Sequence, residues 1–200
     1  MSRSFVDLLE VHRGHFRLES GMHGDIWFDL ERAYVRPKDL EPFVDELVRA
    51  LVTYTPDAIC GALVGGAFIG YSAAQKMGVD FMYTERFELD TQGGGKKVEY
   101  RLPREFRSIA PGRKVAVVDD VINAGSAVLK TSAQLAAHGA QPVVLASLLT
   151  VGGTAPKRLP GTTLPIVTLG HLVSSLWQPH DCPLCSAGAP LTDPYADSAT

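Results

Sequence analysis

Two adjacent carboxylates at the end of an apolar run are the residues in this chain best placed to do chemistry. The run reads Lys114-Val-Ala-Val-Val-Asp119-Asp120-Val-Ile-Asn123-Ala-Gly125-Ser126-Ala127. Its apolar part predicts a buried strand, succeeded by a glycine-containing loop and the start of a helix. In open α/β sheets, ligands lie beyond the carboxyl ends of the strands. A carboxylate accepts two hydrogen bonds from a vicinal diol, so Asp119 and Asp120 suit the hydroxyls of a sugar. The free N–H groups of a helix start suit a phosphate. Gly125 lets the backbone approach that phosphate closely, and Ser126 adds a hydroxyl or caps the helix. Taken alone, a pair of aspartates after a strand is more often a turn and a cap than a ligand site.

A second element is Gly61-Ala-Leu-Val-Gly65-Gly66-Ala67. A strand enters a double glycine and then a helix, which is another place where backbone amides can hold an oxyanion. Tight packing turns also use Gly-Gly, so this signal is weaker. The common nucleotide motifs do not fit. Gly93-Gly-Gly-Lys96-Lys97 lacks the spacing and the hydroxyl of a phosphate-binding loop, and no Gly-x-Gly-x-x-Gly opens a helix.

These residues are positioned by alternating elements. Ser4–Val11 reads as a short helix, and Gly14–Leu18 and Ile26–Leu30 as strands about a turn at Gly21–Gly24. Pro37 opens a helix in which Leu40, Phe43, Val44, Leu47, Val48 and Leu51 keep the 3.6-residue period. Ala58–Val64, Val79–Thr84, Lys114–Val118, Pro142–Leu149 and Leu164–Leu169 read as strands. Ala67–Met77 and Ala124–His138 read as helices, with Gly65–Gly66 a loop. Phe87–Arg104 is polar and reads as a mobile excursion or a hairpin. The alternation over Asp57–Gly170 predicts an α/β fold with a parallel sheet covered on both faces. The divisions expected are a small hood at about 1–35, a core at about 36–170, and a C-terminal extension at 171–200.

The run Val115–Ala127 resembles the signature of type I phosphoribosyltransferases, which bind 5-phosphoribosyl-1-pyrophosphate (PRPP). There a hydrophobic strand, two acids and a Thr-x-Gly-Thr-like loop occur in order, and here Asn123 and Ser126 occupy the two Thr positions. Gly14-His-Phe-Arg-Leu-Glu-Ser-Gly21 is similar to the N-terminal segment of orotate phosphoribosyltransferases. Tyr83-Thr-Glu-Arg86 is similar to the strand that delivers an arginine to the pyrophosphate. The resemblance covers roughly residues 5–170. It implies a parallel-sheet core with an N-terminal hood, and transfer of the phosphoribosyl group of PRPP to a nucleobase nitrogen with release of pyrophosphate. Orotate is the family-implied acceptor.

The same resemblance assigns PRPP to Asp119, Asp120, Val121, Ile122, Asn123, Ala124, Gly125, Ser126 and Ala127, with Gly65, Gly66 and Arg86 at the pyrophosphate. Asp119, Asp120 and Arg86 are the catalytic candidates. Mg²⁺ is implied as a passenger on PRPP and not as the occupant of a protein cage, because magnesium keeps waters and binds substrate phosphates. A homodimer is implied as well.

Three departures bear on the acceptor. Phe87, Asp90 and Gln92 stand where the family has Lys, Lys and His. Lys96, Lys97 or Arg101 are the substitutes at hand. Thr150 stands where an arginine would meet the orotate carboxylate, with Arg17 and Arg32 as other donors. These changes predict orotate turnover well below that of a typical member, or preference for an uncharged base. A transferase for another nucleobase and a non-catalytic PRPP-binding regulator stay open.

Composition agrees with one soluble domain. The 200 residues are 46% hydrophobic and 20% charged, with net charge −3, which excludes a basic field for nucleic acid. Ala58–Gln75 is uncharged but carries four glycines, so a packed strand-loop-helix is expected and not a membrane span. No apolar leader opens the chain. Three cysteines, Cys60, Cys182 and Cys185, are too few for a disulfide scaffold and fit a reducing cytoplasm.

Cys182-Pro-Leu-Cys185 resembles half of a zinc knuckle. Zinc needs four ligands, and His180, His171 or a second subunit would have to complete them, so zinc ranks below a pair of packed thiols. His12, His15, His23 and His138 are assigned no chemistry.

Overall fold

The structure, a computed structural model, describes residues 4–18, 21–90, 96–194 and 196. Two sheets form. The larger has seven strands. Six of these run in the order β5 (Lys96–Arg101), β4 (Asp80–Asp90), β3 (Ala58–Ala62), β6 (Lys114–Ile122), β7 (Gln141–Gly152), β8 (Ile166–Thr168). The seventh, β9 (His171–Val173), also pairs with β7. Pairings are parallel except β4 with β5.

Buried parallel strands read as continuous apolar runs, and β6 divides its run between the two faces. Ala116 and Val118 join α1 (Pro37–Leu51) and α2 (Gly65–Met77) in one core. Val115 and Val117 face the other core, with Val128 and Leu135 of α4 (Ser126–Ala137). Leu40, Phe43, Val44, Leu47 and Leu51 form the buried stripe of α1, at the spacing the sequence predicts. The fold is therefore the expected parallel α/β sheet with helices on both faces.

The smaller sheet is the hood: β1 (Val11–Arg17), β2 (His23–Phe28) and β10 (Leu176–Trp177), all antiparallel. Its third strand comes from the C-terminal stretch. Glu19 and Ser20 of the family-like Ser-Gly turn lie outside the described residues.

Other elements differ in extent from the sequence reading. Ser4–Val11 yields only a 3-10 turn, Phe5–Leu8, before the backbone extends into β1. Gly65 and Gly66 form the first turn of α2 instead of a loop ahead of it, because the Ala67 and Phe68 N–H groups already donate to the Val64 carbonyl. Strand β4 continues to Asp90 and pairs with β5, so Phe87–Arg104 contains a β-hairpin. The glycines Gly93–Gly95 lie outside the described residues. Ala58–Gln75 forms strand and helix, and among the described residues no helix is long and apolar enough to cross a membrane.

Candidate functional site

The end of β6 carries the two aspartates, and β3 lies beside it in parallel with Gly61 opposite Val118. That register brings the start of α2 against the acid pair. A Cβ on Gly65 would fall 1.7 Å from Asp120 Oδ2, and one on Gly66 would fall 2.6 Å from Asp119 Oδ1. On Gly61 it would fall 2.2 Å from the Gly66 carbonyl oxygen. All three glycines are thus required by close approach and not by turn conformation. The peptide between Leu63 and Val64 is cis.

Both carboxylates are nearly buried, Asp119 at 9% and Asp120 at 8% exposure. Asp119 accepts the Asp120 N–H at 3.2 Å, and Asp120 accepts the Val121 N–H at 2.7 Å. The Tyr34 hydroxyl donates to Asp120 Oδ2 at 2.6 Å. Burial pushes the Asp119 carboxyl well above the usual carboxylate range, and the neighbouring Asp120 charge pushes it further. Burial and the acid pair likewise hold the Tyr34 phenol in its neutral, donating form. Two nearly buried acids, one of them accepting from a phenol, favour a ligand that brings positive charge or several hydroxyl donors.

Gly125 sits at the N-cap of α4 with φ 80, a conformation that disfavours a side chain, and a Cβ there would also strike Leu159. No side chain caps α4, so its first amides are available to an anion. Val121 and Ile122 remain in β6, paired with Leu149 and Thr150. Asn123, Ala124 and Ser126 are exposed, and Ala127 is half-buried. The structure therefore gathers Asp119–Ala127 with Gly65 and Gly66 at one end of the sheet.

Arg86 extends from the exposed side of β4, opposite Tyr100 on β5. Its guanidinium pairs with Glu88 at 2.6 Å. Burial raises the Tyr100 phenol, the Asp119 charge adds to this, and Arg86 opposes it. Tyr100 thus senses both the arginine and the acid pair. Two of the three substitutes for the missing cations are otherwise engaged: Lys97 and Arg101 both pair with Glu99, and Arg101 also covers the Phe87 ring. Arg17 pairs with Asp193, and Arg32 with Glu10. Thr150 is buried, its hydroxyl 3.2 Å from the Gly170 carbonyl and 3.0 Å from His171 Nδ1.

Sequence reasoning missed Tyr34 and Tyr100. Tyr34 lies 86 positions from its partner Asp120, in a segment whose pattern carries no chemical signal. Tyr100 becomes visible only through the β4–β5 register.

Residues 38–160 match the phosphoribosyl transferase domain family, and the chain belongs to it. It is accordingly a transferase of the phosphoribosyltransferase class, using PRPP. Among similar proteins, an orotate phosphoribosyltransferase of Wolinella succinogenes is 32% identical over 187 residues, spanning 88% of this chain and 86% of its own. One from Thermotoga maritima is 30% identical over 181 residues, spanning 90% and 89%. The fold is shared with orotate phosphoribosyltransferase from Aeropyrum pernix, with TM-score 0.62 and 24% identity over 81% of this chain and 88% of that one. It is shared also with the adenine enzyme of Giardia lamblia, with TM-score 0.64 and 16% identity over 86% and 99%. The architecture alone therefore does not choose the acceptor.

A carboxyl whose folded value lies above its usual 3.8 favours the fold at pH below that usual value, and this advantage is lost as pH rises through the folded value. Asp119→Asn is expected to melt at or above the wild-type temperature at pH 8, with the gain shrinking toward pH 4. Thermal denaturation across that range checks it. A variant less stable at pH 8 than at pH 4, relative to wild type, contradicts the assignment.

Proposed function

We propose that this chain transfers the 5-phosphoribosyl group of PRPP to orotate, with the ligand held between the starts of α2 and α4. The observation that carries this reading is the glycine backbone pressed against Asp119 and Asp120, which puts the start of α2 and the two acids in one site. In it, Asp119 and Asp120 accept hydrogen bonds from the ribose hydroxyls. The amides of Gly125, Ser126 and Ala127 take the 5-phosphate, with Asn123 and Ser126 adding side-chain donors. Gly65 and Gly66 present theirs to the pyrophosphate, and Arg86 turns from Glu88 to the same anion.

A ring nitrogen of the base attacks the ribose C1 as its N–H proton passes to water. The bond from C1 to the pyrophosphate oxygen breaks, and pyrophosphate leaves with the electron pair. Positive charge develops on the sugar meanwhile, and the buried acids stabilise it. The hard carboxylate oxygens of Asp119 and Asp120 would suit Mg²⁺, and the ion, riding on PRPP, would supply charge neutralisation of the leaving group. Orotate is the acceptor named for the curated relatives.

A two-fold dimer accompanies this reading. Val64, just ahead of α2, and Phe68 and Tyr71 on it are more than half exposed, beside a largely apolar groove of about 680 Å³ between α1 and α2. That groove is distinct from the acid pair, and Tyr34 reaches both. Exposed aromatic patches of this kind mark protein contacts. Light scattering should give about twice the 21.5 kDa chain mass, and a monomer at assay concentration refutes the dimer. The free cysteines support a reducing, cytoplasmic setting.

A panel of orotate, uracil, adenine and hypoxanthine with PRPP and Mg²⁺, read by pyrophosphate release, tests the acceptor. Orotate should give the highest kcat/KM. The value should lie below about 10⁴ M⁻¹s⁻¹, the lower edge of the ordinary enzyme range, because Asp90 and Thr150 replace cations. A faster uncharged base overturns the acceptor. Binding of PRPP without release for any base supports the regulator instead.

A further inference from the structure

Four side chains that take no part in that site converge beneath the hood. His15 of β1 and His23 of β2 meet Cys182 and Cys185, which flank the start of the C-terminal turn Pro183–Ser186. Their ligand atoms all lie within 4.8 Å of one another. His15 Nε2 is 3.0 Å from His23 Nδ1, 3.4 Å from Cys182 Sγ and 3.7 Å from Cys185 Sγ. His23 Nδ1 is 3.3 Å from Cys185 Sγ. Zinc bonds of about 2.3 Å to sulfur and about 2.0–2.1 Å to nitrogen give tetrahedral ligand separations of about 3.3–3.8 Å. Three of the four distances fall in that interval, and the fourth is short of it by a few tenths of an ångström.

We propose that His15, His23, Cys182 and Cys185 form a structural zinc site that fastens the C-terminal segment to the hood. The donor set is the Cys₂His₂ type, with borderline and soft ligands and no carboxylate among them. His15 Nδ1 lies 3.0 Å from the Ala189 carbonyl. That oxygen can only accept, so Nδ1 carries the proton and Nε2 presents its lone pair to the centre. A carbonyl behind a histidine ligand is the usual outer partner of such sites. His15, His23 and Cys182 are buried, and Cys185 is exposed. Two thiolates and two neutral imidazoles around Zn²⁺ sum to zero charge, so burial carries no net ionic penalty.

The geometry also corrects the sequence reading. The fourth-ligand candidates His180 and His171 are elsewhere: His180 pairs with Asp181 in solvent, and His171 contacts Thr150. The ligands instead are two histidines assigned no chemistry. One chain supplies all four, so no second subunit is needed.

The consequence is mechanical. The hood is a small three-stranded sheet, and the C-terminal segment also meets it through its backbone. Thr192 exchanges backbone hydrogen bonds with His15 and Arg17, and Asp193 pairs with Arg17. Zinc would bind these pieces into one unit.

Elemental analysis of protein purified without chelator should find about one zinc per chain, falling at least tenfold in Cys182→Ser and Cys185→Ser. The reduced metal-free protein titrated with cobalt chloride should show thiolate-to-cobalt charge transfer and tetrahedral ligand-field bands. Full zinc content in both variants places the metal elsewhere and overturns the proposal. So does reduced wild-type protein that takes up neither zinc nor cobalt, or protein purified without reductant that carries a Cys182–Cys185 disulfide in place of metal. Should the variants fail to fold, the wild-type cobalt spectrum decides: thiolate bands support the site, and their absence overturns it.

Discussion

The site depends on backbone meeting carboxylate without a side chain between them. Gly65 and Gly66 press on Asp120 and Asp119 so closely that any Cβ would overlap an oxygen or come within contact distance of one. This packing sets the distance between the start of α2 and the end of β6. It also leaves the acids partly stripped of water, which raises the Asp119 carboxyl. A ligand that brings hydroxyl donors or a cation relieves that strain, whereas the free protein must tolerate it. Affinity for such a ligand and a small loss of stability are then two results of one arrangement.

The rest of the core serves this contact. Strands β3 and β6 are neighbours with Gly61 level with Val118, and Gly61 must itself be bare because Gly66 passes over it. Helix α4 is held on the opposite face by Val128 and Leu135 in the core, and by the buried Thr84–Thr131 hydroxyl pair at 2.7 Å. The Lys130 ammonium donates to the Val98 carbonyl, linking α4 to the β4–β5 hairpin that carries Arg86 and Tyr100. The position of Arg86 and the position of α4 are therefore linked through a few contacts.

Much of this was legible because it is local. The apolar run of Lys114–Val118, the acids after it and the glycine before a helix lie within a dozen residues, where patterning and turn chemistry act directly. The stripe Leu40 to Leu51 on α1 is local in the same sense. What escaped depends on distant pairing. Tyr34 meets Asp120 only because α1 and α2 pack together. The strand Leu176–Trp177 is two residues long, too short for any periodic signal. His15 and Cys182 are 167 positions apart, and a Cys-x-x-Cys half-motif says nothing about which histidines the hood will bring to it. The substitutions at Phe87, Asp90 and Thr150 were visible, yet the pairing of Lys97 and Arg101 with Glu99 was not, since it rests on the hairpin register.

The central claim is that Asp119 and Asp120, framed by Gly65 and Gly66, are the ribose end of a PRPP site. Calorimetric titration of PRPP with Mg²⁺ into wild type and the Asp119→Asn, Asp120→Asn double variant tests this directly, with circular dichroism to verify the fold. Wild type should bind in the micromolar range, on the order of ordinary substrate constants, and the folded double variant should give no binding heat. Equal affinity in the two proteins would contradict the account.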